Sequence, residues 1–408
     1  MKNTLLIPAL LDHHWPLLRW AFESEAWQAV VLEDRTSIED LGLRNLHNDL
    51  CYPFILITGQ VLSALHSGQY DPKHTAVLIS QAGDSCRGSC LIRLLRPVLD
   101  REGFSDVSLL SFNLRGVEQN LALPISLTMA RRALAAAFWG DTLMLLSHQT
   151  RPYEITPGET NALVHSWTEN LSADLQANRN LSLFGILHRF REVAESFRSI
   201  RRIPRTLQKV ALVGDIYTKY CRLGNWDLED YLERNGCEVA INGLTWHMLY
   251  YLSTHLDSGP LPARLLGKVL LSAGESLQKR MICILKAFGF NVLPPCRELK
   301  ALAEQYSTTD CSVGSGWLLS AEIAAWVHTG YPKVLAALPF ACLPGHIYGR
   351  GQYAALQRKI PGSMIVGVDY DASIRDGTVQ TRVRMLLDEP LEPCISPDFD
   401  CQARQPMV

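Results

Sequence analysis

The chain has 408 residues, with 39 lysines and arginines against 41 aspartates and glutamates and a net charge of −2. Such a length accommodates two domains, each large enough to bury its own core. A balance this close to neutral gives no basic field for nucleic acid or an anionic membrane, and no stretch approaches the roughly 18 to 20 uninterrupted apolar residues of a spanning helix.

The opening "MKNTLLIPALLDHHWPLLRW" carries a lysine and a short apolar run, but Pro8 and then Asp12, His13 and His14 break it, and no small-residue cleavage site follows. It reads as a first strand and turn of a cytoplasmic protein. His13 and His14 are neighbours in sequence and do not share a helix face, so a surface or turn role is favoured over metal binding. The first third then alternates: "PLLRWAFESE" as helix, "AVVLED" as strand, "PFILITGQVLSALHSG" as helix, "HTAVLISQ" as strand, "CLIRLLRPVLDREGF" as amphipathic helix and "VSLLSF" as strand. Strands separated by helices imply a parallel sheet with right-handed crossovers.

From Pro124 to Arg202 the pattern is helical, and "FRSIRRIPR" closes it as a linker. A second α/β unit starts with the strand "QKVALVGD", continues through the helix "WDLEDYLERNG" and the strand "CEVAI", and has helices around residues 261 to 287, 296 to 306 and 317 to 328. The strands "KVLAALPF" and "SMIVGVDYD" and the helix "TVQTRVRMLLDE" complete it. Asp369 and Asp371, at the end of the second of these strands, suit capping or turn roles. The expected organisation is an N-terminal α/β domain over 1–123, a helical segment and linker over 124–205, a C-terminal α/β domain over 206–390 and a proline-rich tail over 391–408. Its fold class is α/β, with two Rossmann-like parallel-sheet domains and a site in the cleft between them.

Eleven cysteines are scattered through the chain, an odd number without a secretory leader, which argues against a disulfide framework. Most read as small buried hydrophobes. Three stand apart. Cys51, in "HNDLCYPFILITGQ", falls just before a helix whose first turn holds Pro53; Cys86, in "SQAGDSCRGSCLIRLL", follows a strand and opens a helix; Cys342, in "FACLPGH", follows a buried strand in the second unit. Helix starts favour thiolates and offset negative charge, which suits an iron–sulfur cluster between the two domains. Zinc is the rival metal, although the C-x2-C pairs common in structural zinc sites are absent, and inert packing is the alternative to both. Cys90, four residues past Cys86, is a less favoured ligand. No P-loop or G-x-G-x-x-G fingerprint is present, so the chain has no visible ATP site of its own.

The segments "HNDLCYPFILITGQVLSALHSGQYD", "SQAGDSCRGSCLIRLLRPVLDREGF", "LLSHQTRPYE", "GSGWLLSAEI" and "LPFACLPGHIYGRGQYAALQRKIPGSMIVGVDYD" resemble, in order, the 2-hydroxyacyl-CoA dehydratase-related proteins. The nearest branch is the C-terminal module of activase-fused proteins, related to the double-cubane cluster proteins. The resemblance runs from about residue 4 to residue 387. It implies an iron–sulfur cluster, 4Fe-4S or double-cubane, held by cysteines at N-D-x-C-Y-P, G-x-C-R and F-x-C-L-P motifs, which here are Cys51, Cys86 and Cys342.

It further implies a low-potential electron from an ATP-dependent iron–sulfur activase acting in trans, and a homodimer. The reaction implied is ATP-coupled reduction, or radical dehydration, of a small or CoA-linked substrate. Asp84 and Ser85 stand where the family has glycines. Gly314, Ser315, Gly316 and Trp317 replace G-E-G-W, and Gly345 replaces the asparagine after F-x-C-L-P. The last two departures remove polar groups near the expected cluster. A non-catalytic electron-transfer or assembly subunit is therefore the second reading, and a redox-inert α/β binding protein the third.

Overall fold

The computed structural model describes residues 2–80, 86–112, 126–255, 261–310, 313–373 and 376–390. Asp84, Ser85, Cys311, Cys394, Cys401 and the tail lie outside the described residues.

Strand β1 (Asn3–Ile7) leads into helix α1 (Trp15–Phe22) and strand β2 (Trp27–Val31); helices α2 (Ile38–Asn45) and α3 (Tyr52–His66), strand β3 (Thr75–Ser80), helix α4 (Leu91–Arg101) and strand β4 (Ser108–Phe112) follow. The four strands pair in parallel in the order β2-β1-β3-β4, with Leu5 opposite both Ala29 and Ala76. Parallel strands covered on both faces need continuous apolar side chains, which is why Leu5, Leu6 and Ile7 are all buried and why Ala76 to Ile79 are too.

The second sheet repeats this plan. Strand β5 (Gln208–Gly214) is followed by three short helices, α8 (Ile216–Tyr220), α9 (Arg222–Asn225) and α10 (Leu228–Arg234), and by strand β6 (Cys237–Ala240). Helices α11 (Leu244–His255), α12 (Leu261–Ala287), α13 (Cys296–Ala303) and α14 (Gly316–His328) lead to strand β7 (Lys333–Pro339). Helix α15 (Tyr353–Lys359), strand β8 (Met364–Tyr370) and helix α16 (Asp376–Asp388) close the unit. The order is β6-β5-β7-β8, again all parallel, and every residue of β7 is buried. The expected fold class, α/β with two Rossmann-like parallel sheets, is what the chain adopts.

Between the sheets run α5 (Leu127–His148), α6 (Glu159–Gln176) and α7 (Leu183–Ser199). Helix α5 packs against α1, α6, α7 and α11, so Ala135 to His148 are all buried, and a helix enclosed in this way is apolar around its circumference. Ser126 and Ser182 cap α5 and α7 by accepting the N–H groups of Met129 and Gly185. The stretch expected as a linker is pinned rather than loose: the Ile155 N–H donates to Arg201 O and the Ile203 N–H to Tyr153 O.

The carboxyl ends of the two sheets face each other. The Asp12 N–H donates to Tyr220 O at 3.3 Å, and Asp12 Oδ2 accepts the Arg222 N–H at 2.7 Å. Arg35 pairs with Asp227 at 2.8 Å, and Trp226 Nε1–H donates to the Tyr52 hydroxyl at 3.2 Å. In each sheet the strand order reverses between its first and third strands, and open α/β sheets bind ligands beyond the strand ends at such a reversal. Among the described residues no helix is long and apolar enough to cross a membrane.

Candidate functional site

Cys51 is the residue that caps the N-terminus of α3, with φ −59° and ψ 125°, and Pro53 sits in the first turn, where a missing N–H costs nothing. Helix α2 holds α3 in place through two glycine contacts. A Cβ on Gly42 would lie 2.1 Å from Ile55 O, and one on Gly59 would lie 1.9 Å from Ile38 O. Any side chain at either position would push α3, and its capping cysteine, outward.

Cys86 precedes a short 3-10 turn, Arg87–Cys90, which feeds α4. Cys342 follows β7 through Ala341, whose φ is 54°, and precedes a π-helical turn at Gly345–Gly349. A left-handed alanine costs roughly 1 to 2 kcal/mol, and both such strain and π turns concentrate at functional sites. The His346 N–H donates to Cys342 O at 2.9 Å, and Arg350 reaches Asp369 at 2.5 Å, so Asp369 latches the loop that carries Cys342. Asp371 has the expected turn role, accepting the Ser373 N–H at 2.7 Å.

One side chain joins the three loops. The Arg87 guanidinium donates through Nη1 to Asp49 O at 2.6 Å and through Nη2 to Phe340 O at 2.7 Å. Asp49 is two residues before Cys51, Phe340 two before Cys342, and Arg87 itself follows Cys86. The arginine of the G-x-C-R motif is thus a positional tie, a role its sequence context alone did not suggest.

The thiols share one electrostatic environment. Burial lifts the Cys51 thiol well above its ordinary range; Asp215, Cys342 and Cys86 push the same way, and Arg87 opposes them. Cys342 is pushed up to about 12, by burial first and then by Asp215 and Cys86, against a Gly345 N–H and Arg87. The three sulfurs do not all fall within 4.8 Å of one another. A single tetrahedral zinc would hold its sulfurs about 3.8 Å apart, given zinc–sulfur bonds near 2.3 Å, whereas a cubane spreads its cysteine sulfurs to roughly 6 to 7 Å. The arrangement is therefore more open than a single zinc requires. Cys90, at the far end of the 3-10 turn, is exposed.

Asp215 was not singled out in the sequence, although it ends the strand "QKVALVGD" at the reversal of strand order. It caps α8 by accepting the Tyr217 N–H at 2.9 Å; burial raises its pKa, opposed by the α8 N–H groups and Lys219. Lys219 is itself buried, with Nζ 2.7 Å from Asn242 Oδ1 and 3.1 Å from Glu322 Oε2. Around Cys342 the side chains of Phe340, Leu343 and Ile347 are each 52% exposed, a cluster of apolar groups on the rim. At Gly345, a Cβ would lie 2.7 Å from Leu338 Cδ2 and 3.4 Å from Cys342 Sγ, so the asparagine of the resembled motif would fit only with Leu338 displaced.

The remaining described cysteines follow the packing expectation in part. Cys221, Cys237 and Cys296 are buried, whereas Cys283 is exposed, and none of the eight described cysteines is in a disulfide. His13 and His14 sit in the turn before α1, as one expected role had it, with the His14 N–H donating to Leu11 O at 2.9 Å, but neither is a surface residue. His14 is fully buried against Asp141 at 2.8 Å, and His13 is largely buried against Glu229 at 2.9 Å. The packing of α5 and α10 onto the β1–α1 loop encloses both. No protein-family model matches the chain, and no curated protein matches it.

Proposed function

We propose that the chain is an iron–sulfur protein, with a 4Fe-4S-type cluster held by Cys51, Cys86 and Cys342, working in the manner implied by its resemblance to 2-hydroxyacyl-CoA dehydratase-related proteins. The observation that carries this reading is the Arg87 tie, which joins three cysteine loops from distant parts of the chain. The donor set fits the group: three soft thiols, two of them at the starts of helical turns whose N–H groups offset negative charge, with a guanidinium beside them. A cluster there would supply one-electron chemistry at low potential, fed by a separate ATP-dependent activase, for reduction or dehydration of a small or CoA-linked substrate.

The protein's own residues have defined tasks in this scheme. Arg87 keeps the loops in register and offsets thiolate charge. Asp215, partly buried and raised in pKa, would hold or release a proton near the thiols. Phe340, Leu343 and Ile347 offer an apolar rim to an arriving partner or substrate. A reducing cytoplasm would keep the thiols available. Gly345, which puts no polar side chain beside Cys342, favours a second reading: an electron-transfer or assembly subunit that keeps the cluster without turning over a substrate.

The test is anaerobic reconstitution with iron and sulfide, followed by iron and sulfide analysis and electron paramagnetic resonance of the reduced protein. Broad visible absorption that each of Cys51→Ser, Cys86→Ser and Cys342→Ser diminishes is the expected result. A colourless wild type, or serine variants with undiminished iron, would overturn the reading.

A further inference from the structure

Away from the cysteines, three side chains from three parts of the chain meet at a single point. His13 lies between β1 and α1, His148 is the last residue of α5, and Glu229 is in the first turn of α10. The Nε2 atoms of His13 and His148 each lie 2.9 Å from the same oxygen, Glu229 Oε2. The two rings meet edge to face, with centroids 5.2 Å apart. All three donor atoms fall within 4.8 Å of one another, which no other trio of histidine, cysteine, aspartate or glutamate side chains does among the described residues. Side-chain exposure is 19% for His13, 1% for His148 and 5% for Glu229.

The neighbouring carboxylate shows what full satisfaction looks like here. Asp141, which holds His14, accepts from the N–H groups of Leu244 and Thr245 and from the Thr245 hydroxyl, so both its oxygens are used. Glu229 differs, because its second oxygen, Oε1, is buried and has no hydrogen-bond partner. A buried carboxylate oxygen without a partner calls for an explanation, and a bound ion is one. Asp12 is close by but committed elsewhere, since its Oδ2 accepts the Arg222 N–H.

We infer that His13, His148 and Glu229 form a mononuclear site for a divalent transition-metal ion of the zinc class, separate from the cysteine centre. Two imidazole nitrogens and one carboxylate oxygen are borderline-to-hard donors that suit zinc, cobalt or ferrous iron and lack the sulfur that would recruit a cluster. Three protein ligands leave a coordination position for water, on the side of His13, the most exposed of the three. Binding requires each imidazole to present its Nε2 lone pair, which moves the ring proton to Nδ1. At His148 that atom is buried without a partner, so the site is weaker, by about 10- to 100-fold, than one with an acceptor behind each imidazole. The ion would cross-link the β1–α1 loop, the end of the central helix and the start of α10. This inference does not depend on the iron–sulfur reading.

The experiment uses the full chain, stripped with chelator and titrated anaerobically with Co2+, with Zn2+ as competitor. In a Cys51→Ser, Cys86→Ser, Cys342→Ser triple variant the expected result is saturable binding of about one ion per chain, with visible ligand-field bands and no thiolate charge-transfer band. In that background binding should weaken at least about tenfold with Glu229→Gln. Should Glu229→Gln fail to fold, His13→Gln, at the rim, serves in its place with the same expectation. No saturable binding by the triple variant, or an affinity in its Glu229→Gln or His13→Gln form unchanged from that background, would overturn the inference.

Discussion

Replacing Arg87 with alanine should loosen the three cysteine loops together. The guanidinium contributes two charge-assisted hydrogen bonds, at 2.6 Å to Asp49 O and 2.7 Å to Phe340 O. Such bonds contribute about 1.5 to 3 kcal/mol each when enclosed, and Arg87 is exposed, so about 2 kcal/mol for the two together is the appropriate discount. That corresponds to roughly a 30-fold rise in the open population of the loops. The assay is amide hydrogen exchange, compared between peptides covering Asp49 to Phe54 and Phe340 to His346. Thiol modification would be a poor probe, because removing the guanidinium also raises the thiol pKa values and slows alkylation just as opening speeds it. Arg87→Lys should fall between wild type and alanine, since one ammonium cannot span two carbonyls in a planar fork. Exchange that stays within about threefold of wild type in both peptides would show that Arg87 does not hold the loops, and the reasoning about the site would fail with it.

Other outcomes follow from the same geometry. Lys219→Met should destabilise the fold by about 3 to 5 kcal/mol in urea unfolding, because it strands the buried Glu322 carboxylate; the Lys219→Met, Glu322→Leu double variant should recover most of the loss. If the double variant is as unstable as the single, the charge pair is not the cause. Gly214→Ala should cost more than about 2 kcal/mol, since Gly214 has φ 143° and a Cβ there would lie 1.9 Å from Ala337 O. A near-native urea midpoint would contradict that contact.

In the metal-free protein, alkylation of Cys342 should keep rising with pH beyond the usual thiol value of 9.0 toward about 12. The sign follows from linkage: between those values the unfolded chain loses the proton that the folded one keeps. Stability owed to this thiol is therefore full below pH 9 and declines as pH rises to 12. A plateau in the alkylation rate near pH 9 would show Cys342 to be solvated and ordinary.

Much of the architecture was legible in the chain alone, because a strand buried on both faces must be an unbroken apolar run, and "TLLI", "TAVLIS", "KVALVG" and "KVLAALP" are such runs. Helix starts were legible too where a local marker exists: Pro53 announces the start of α3 and so the place of Cys51. Helix α2 was not, since "IEDLGLRN" has few apolar residues and owes its place to the tight contact of Gly42 with α3. Helices α8, α9 and α15 are too short to show a period.

What only the tertiary structure decided is who meets whom. Arg87 and Phe340 are 253 residues apart, and His13 and Glu229 are 216 apart. No local pattern encodes such pairings, because they depend on how two sheets and a helical segment pack once each has formed. His13 and His14, adjacent in sequence, show the limit plainly: the first reaches Glu229 and the second Asp141, in separate enclosures that α5 and α10 create. Local propensity set the elements and put the cysteines at their ends; the packing of those elements, driven by burial of apolar surface, determined which chemical groups share a site.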